Sequence, residues 1–113
     1  MPTHTLCFKD QIIGTILDSH RGLGWMHARI APAESFFAHA EFAREFREIH
    51  KQYEDSNERK EMIRKLRKKS GELLDHKLWT VKEDNTRIIA KMQTVPLLYE
   101  YKDYVNATWK PKD

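Results

Sequence analysis

Six histidines and a single cysteine are the residues of this chain best suited to binding a metal or attacking a substrate. His4, His20, His27, His39, His50 and His76 form no HExxH pair, and one thiol, Cys7, excludes the common structural zinc layouts. His39 and His50 stand eleven residues apart in what reads as one helix. At about 1.5 Å per residue they lie roughly 16 Å apart, too far to share an ion. Nucleophilic catalysis needs Ser or Cys, a histidine base and a third group to orient the base. Ser19-His20 is the one adjacent pair, and Asp18 beside it reads more simply as a turn residue. Cys7 sits in the apolar run Leu6-Cys7-Phe8, where burial lowers a thiol's reactivity. Gly22-Leu23-Gly24 is too short for a nucleotide fingerprint and leads into a strand, whereas phosphate loops lead into a helix. The sequence therefore reads as a non-enzyme with no cofactor and no metal.

Two surface features offer binding chemistry instead. Between Arg59 and Lys69, seven of eleven residues are Lys or Arg, and Glu61 alone opposes them. Arg59, Lys60, Arg64, Lys65, Arg67, Lys68 and Lys69 could follow a nucleic-acid backbone, with an affinity that falls steeply with salt. They could equally form a solvated helix face, or neutralise the acidic segment from Glu34 to Asp55. No aromatic interrupts the basic run, so base stacking is not offered. The second feature is aromatic. Phe37 points away from the apolar stripe of its helix, and Tyr99, Tyr101, Tyr104 and Trp109 crowd a chain end with little core left to fill. Tyr and Trp at a surface suit protein contacts, because they add area at low entropic cost. The competing reading is a core that wraps the last strand.

Positioning these side chains falls to a chain of 113 residues, 40% hydrophobic and 11% aromatic, with net charge +3: enough for a single domain over 1–113. The N-terminus lacks a signal-peptide layout and the apolar runs are far short of a membrane span, so a cytoplasmic protein with no membrane contact is expected. From Trp25 to Ile30 apolar and polar residues alternate as in a strand; Pro32 stops it. A helix to about Tyr53 follows, with Phe42, Phe46, Ile49 and Tyr53 on one stripe and Phe36 and Ala43 at its margin. A break at Glu54–Asn57, with Ser56 or Asn57 as N-cap, precedes a second helix that places Met62, Ile63, Leu66 and Leu73 on one side and ends near Gly71. Before the helices, strands His4–Phe8 and Gln11–Leu17 are expected, then a polar loop Asp18–Gly24. Trp25 is expected to fill the space left at Gly14. After the helices come strands Leu78–Lys82, Arg87–Thr94 and Leu97–Tyr104, and a loosely held tail over 105–113.

The predicted fold is thus α+β: an antiparallel sheet in the order β-β-β-α-α-β-β-β with a helical pair on one face. Its strands form either one sheet of five or six, or two small sheets packed across the first helix. Hairpins sealing the aromatic stripe would leave surface rather than a cleft for function.

From Ile12 to Phe36, the Ile-Gly-Thr strand, Asp18, Trp25-Met26, Ile30, Pro32 and Phe36 resemble a pattern of small uncharacterised bacterial α+β proteins. Such proteins are similar in size and layout to immunity or inhibitor partners of toxins, which implies binding without chemistry. An inhibitor of a cationic nuclease would be acidic, whereas this chain is mildly basic. The expectation is a bacterial, cytoplasmic protein-binding module, an immunity-type inhibitor of a toxin or effector. Nucleic-acid binding through the basic helix is the alternative.

Overall fold

The computed structural model describes residues 3–53 and 56–112. Seven strands form one antiparallel sheet: β1 (His4–Phe8), β2 (Gln11–Gly22), β3 (Trp25–Pro32), β4 (Trp79–Glu83), β5 (Arg87–Lys91), β6 (Leu97–Glu100) and β7 (Val105–Trp109). Their spatial order is β5-β4-β1-β2-β3-β7-β6. Three helices lie between β3 and β4: α1 (Glu34–Ala38), α2 (Ala40–Gln52) and α3 (Ser56–Ser70), followed by 3₁₀ turns at Gly71–Leu74 and His76–Leu78. The α+β class holds, and the strand and helix counts are corrected. One correction is at His39, whose ψ of 11° interrupts the helix expected from Glu34 to Tyr53. The interruption lets Phe36 (1% exposed) enter the core along a different line from Phe42, Phe46 and Ile49. The expected break at Glu54–Asn57 falls partly outside the described residues, and Ser56 and Asn57 already belong to α3.

The second correction is the chain end. Val105–Trp109 is not a loose tail but an inner strand, hydrogen-bonded to β3 on one side and β6 on the other. Val105, Ala107 and Trp109 point inward beside Ile30, Ala28 and Met26, their registered neighbours. The strand expected over Leu97–Tyr104 ends at Glu100, and the Tyr101 N–H donates to the Tyr104 carbonyl at 2.8 Å to close a hairpin.

The sheet must curl. Flat, six spacings of about 4.8 Å would hold β5 and β6 roughly 29 Å apart. The residues 92–96 that join them reach only about 20 Å when extended. The bend is pinned where Met92 bridges Pro111, with Gln93 N–H to Lys110 O at 2.7 Å and Lys112 N–H to Lys91 O at 3.1 Å. Leu6, Phe8, Ile30, Trp79, Ala107 and Trp109 then join Phe36, Phe42, Phe46, Ile49 and Leu66 in one core. Gly14 belongs to the same arrangement, but Trp25 does not fill its space. A Cβ there would meet the Ala31 carbonyl oxygen at 2.7 Å and Ile30 Cδ1 at 2.9 Å, so β3 itself occupies the room.

Candidate interaction surface

β2 is the longest strand because the residues expected to be loop, Asp18 to Gly22, remain paired with β3. Its two flanks differ. β1 supports β2 only as far as Thr15, whereas β7 runs beside β3 from Ile30 out to Met26. The outer part of the hairpin is thus an arm with one edge, Ile16 to Gly22 of β2, that no strand covers among the described residues, and only its tip, Gly22 to Trp25, reaches beyond β7. A bulge at Leu17, between Ile16 and Asp18, bends the arm and leaves that leucine 56% exposed. At the tip only Leu23 and Gly24 separate the strands, with φ of 54° and 82°, the type I′ geometry that matches the twist of a hairpin. Leu23 is a branched apolar residue where Asn or Gly is usual, and it is fully exposed. Trp25, opposite Gly22, is exposed as well.

Cross-strand pairs stiffen the arm. Arg29 Nε donates to both Asp18 oxygens, at 3.0 and 2.8 Å, and Nη2 adds a further bond. The hydrogen bonds from Arg29, more than its charge, hold the Asp18 carboxyl below its ordinary value. The His20 and His27 rings stack at 5.1 Å, and His27 Nδ1 lies 3.4 Å from Thr108 Oγ1. The Arg29 guanidinium also covers the Tyr104 ring at 5.5 Å, and Tyr104 stacks on Tyr101 at 5.0 Å. Two of the predicted contact residues, Tyr101 and Tyr104, are therefore tied to the foot of the arm.

The others fall differently. Phe37 is exposed in α1, against the edge of Phe36. Tyr99 is half-buried beneath Arg47, whose guanidinium lies 5.5 Å from its ring. Trp109 is 2% exposed and cannot contact a partner; alternation along β7 turns it inward, where its indole N–H finds no acceptor among the described residues. In the sequence, the glycines flanking Leu23 were the available signal for the arm, but the polar run before them reads as a loop.

The basic helix is partly engaged. Lys69 bridges Glu45 at 2.7 Å and Glu41 at 3.3 Å, so it neutralises the acidic helix α2. Arg64 pairs with Glu61 at 2.7 Å, and Arg59 donates to the Tyr53 and His50 carbonyls at 2.9 and 3.2 Å. Lys60, Lys65, Arg67 and Lys68 are exposed, without an ion pair among the described residues. No group of three potential metal ligands occurs among the described residues. Cys7 is buried, 3.4 Å from Thr5 Oγ1. No helix among the described residues is long and apolar enough to cross a membrane.

Clefts on both sides of α3 differ from the expectation of a surface without one. A groove of about 470 Å³ runs between α2 and α3 over Ile49, Tyr53, Met62 and Leu66, with Glu45 and Glu48 facing Lys65 and Lys69. A second, of about 300 Å³, lies at the other side of α3. No protein-family model, no curated protein and no solved structure matches the chain.

Proposed function

We propose that this protein is a non-enzymatic binding module whose β2–β3 arm is inserted into, or laid against, another protein. One observation carries the reading: Leu23 is held fully exposed in a left-handed conformation at the tip of a braced arm. A branched side chain in that region costs about 1–2 kcal/mol, and exposed leucine gains nothing from the monomer in return. Leu17 and Trp25 add apolar area along the same hairpin, and Tyr101 and Tyr104 flank its base. An immunity-type inhibitor of a bacterial toxin or effector, working in the cytoplasm, is the kind of module we favour. Residues 12–36, which resemble small bacterial α+β proteins similar in size and layout to such inhibitors, are those that build the arm and lead into α1. Affinity isolation of wild type and Leu23→Asp from native cells tests the reading. A stoichiometric partner retained by wild type and lost by the variant supports it; a partner held equally by both refutes it.

A second reading has its own support in Lys60, Lys65, Arg67 and Lys68, which are exposed on α3 and make no ion pair among the described residues. Nucleic-acid binding through them requires a mobility shift that weakens with salt and disappears when the four become Gln. No shift at low salt removes it.

A further inference from the structure

The arm carries two histidines directly across from each other. His20 of β2 is in register with His27 of β3, and their rings stack at 5.1 Å with 15° between their planes. Only Leu23 and Gly24 separate the strands, so Gly22 and Trp25 exchange hydrogen bonds as the closing pair of the hairpin. Alternation then makes His20 and His27 the next bonded pair, and their amides report whether this stretch is closed.

The groups facing the rings do not balance two positive charges. Asp18 precedes His20 by two residues and shares its face of β2, and His20 adds to what holds the Asp18 carboxyl below its ordinary value. That carboxylate is already bound by Arg29, two residues beyond His27 on β3, which brings a compensating charge. Asp18 is the only acid in β2 or β3, and Arg21 follows His20 on the opposite face. On β7 the registered neighbour of His27 is Thr108, with Lys110 two residues further along. The Thr108 hydroxyl, 3.4 Å from His27 Nδ1, can accept from a charged ring or donate to a neutral one, so it favours neither form. Tyr104 meets the cluster only through Arg29, which covers its ring.

We propose that the His20–His27 pair is a proton-operated brace: neutral or singly protonated rings hold the arm closed, and a second proton loosens it. Histidine is the side chain that changes charge between pH 5 and 8. A first proton sits beside a neutral ring and near Asp18, whereas a second places like charges directly across two strands, where they repel. As control of partner contact, the brace rests on the arm being the contact element. The loosening itself does not.

Amide hydrogen exchange of the full chain at pH 7.5 and pH 5.0, corrected for the intrinsic effect of pH, tests the assignment. Protection of the His20 and His27 amides should fall about fivefold on acidification, relative to the buried Leu6 of β1. In His20→Gln, at an exposed position, the fall should shrink to less than about twofold, because one of the two charges is gone. Proton NMR of the ring C–H signals gives a second readout: the wild-type pair should take up its protons in two steps at least about one pH unit apart, and His27 of the variant in one. Equal protection at both pH values, a loss as large at Leu6, the same loss in His20→Gln, or two rings titrating independently would each overturn the proposal. Loosening at pH 5.0 with partner capture undiminished would uphold the brace and count against the arm as the contact element.

Discussion

Leu23→Asn separates the cost of the arm's tip from its use. The substitution puts Asn ahead of Gly24, the dipeptide that type I′ turns favour, at a position where φ is 54°. Placing leucine there costs about 1–2 kcal/mol, and Asn tolerates the region, so the variant should recover roughly 0.5–1 kcal/mol. Nothing is lost in exchange within the monomer, because the Leu23 side chain is fully exposed. For a domain of this size the gain corresponds to a melting temperature about 2–5 °C higher, readable by circular dichroism. Binding should move the other way. Removing an apolar anchor from the centre of an interface costs about 2 kcal/mol or more, about thirtyfold in Kd. A lower melting temperature would refute the strain argument. Unchanged partner affinity alongside a raised melting temperature would leave the strain argument standing and remove Leu23 as an anchor.

Gly14→Ala should destabilise by about 1–3 kcal/mol in urea unfolding, because its methyl group would meet the Ala31 backbone oxygen at 2.7 Å and a backbone atom in a paired strand does not yield; unchanged stability would contradict the close approach of β2 and β3. Trp109→Ala should cost about 3–5 kcal/mol, whereas Tyr101→Ala should stay within about 0.5 kcal/mol, a contrast that a loosely held chain end would not show. His50 should titrate below 6.5 by NMR, held down first by burial and then by the Arg59 charge. Its proton prefers the unfolded chain, so stability is greatest above pH 6.5 and declines as pH falls toward the lowered folded value. Arg59→Gln should move that midpoint part of the way back up. A midpoint at or above 6.5 in the wild type would show that the imidazole is not desolvated as described.

The parts of the fold legible in the sequence are those with large apolar residues at a clean period. Phe42, Phe46 and Ile49 are buried as their spacing predicts, and Cys7 is buried between apolar neighbours. The break at His39 was invisible, since no Gly or Pro marks it and α1 is held by its packing on β2, where the Ala33 N–H donates to the Ile13 carbonyl at 2.8 Å. β7 was missed for a different reason. Val-Asn-Ala-Thr-Trp alternates properly, but two of its three inward residues are small or medium-sized, and only pairing with β3 shows that Ala107 is buried opposite Ala28. The arm reads as a loop because Asp18 to Gly22 carry no apolar face; cross-strand pairs such as Asp18–Arg29 and His20–His27 supply the order that burial does not. The larger groove depends on the pairing of α2 with α3, and the cleft lined by Trp25, Val95 and Leu97 on curling of the sheet, which follows from the short link between β5 and β6 and from no local pattern.

A photo-crosslinking residue placed at position 23, compared with one at the exposed Lys77 in the turn before β4, tests the arm most directly in native cells. Contact through the tip requires one discrete, near-stoichiometric adduct from position 23 and none from position 77. Adducts of equal yield from both positions, or an adduct from 77 alone, would contradict it.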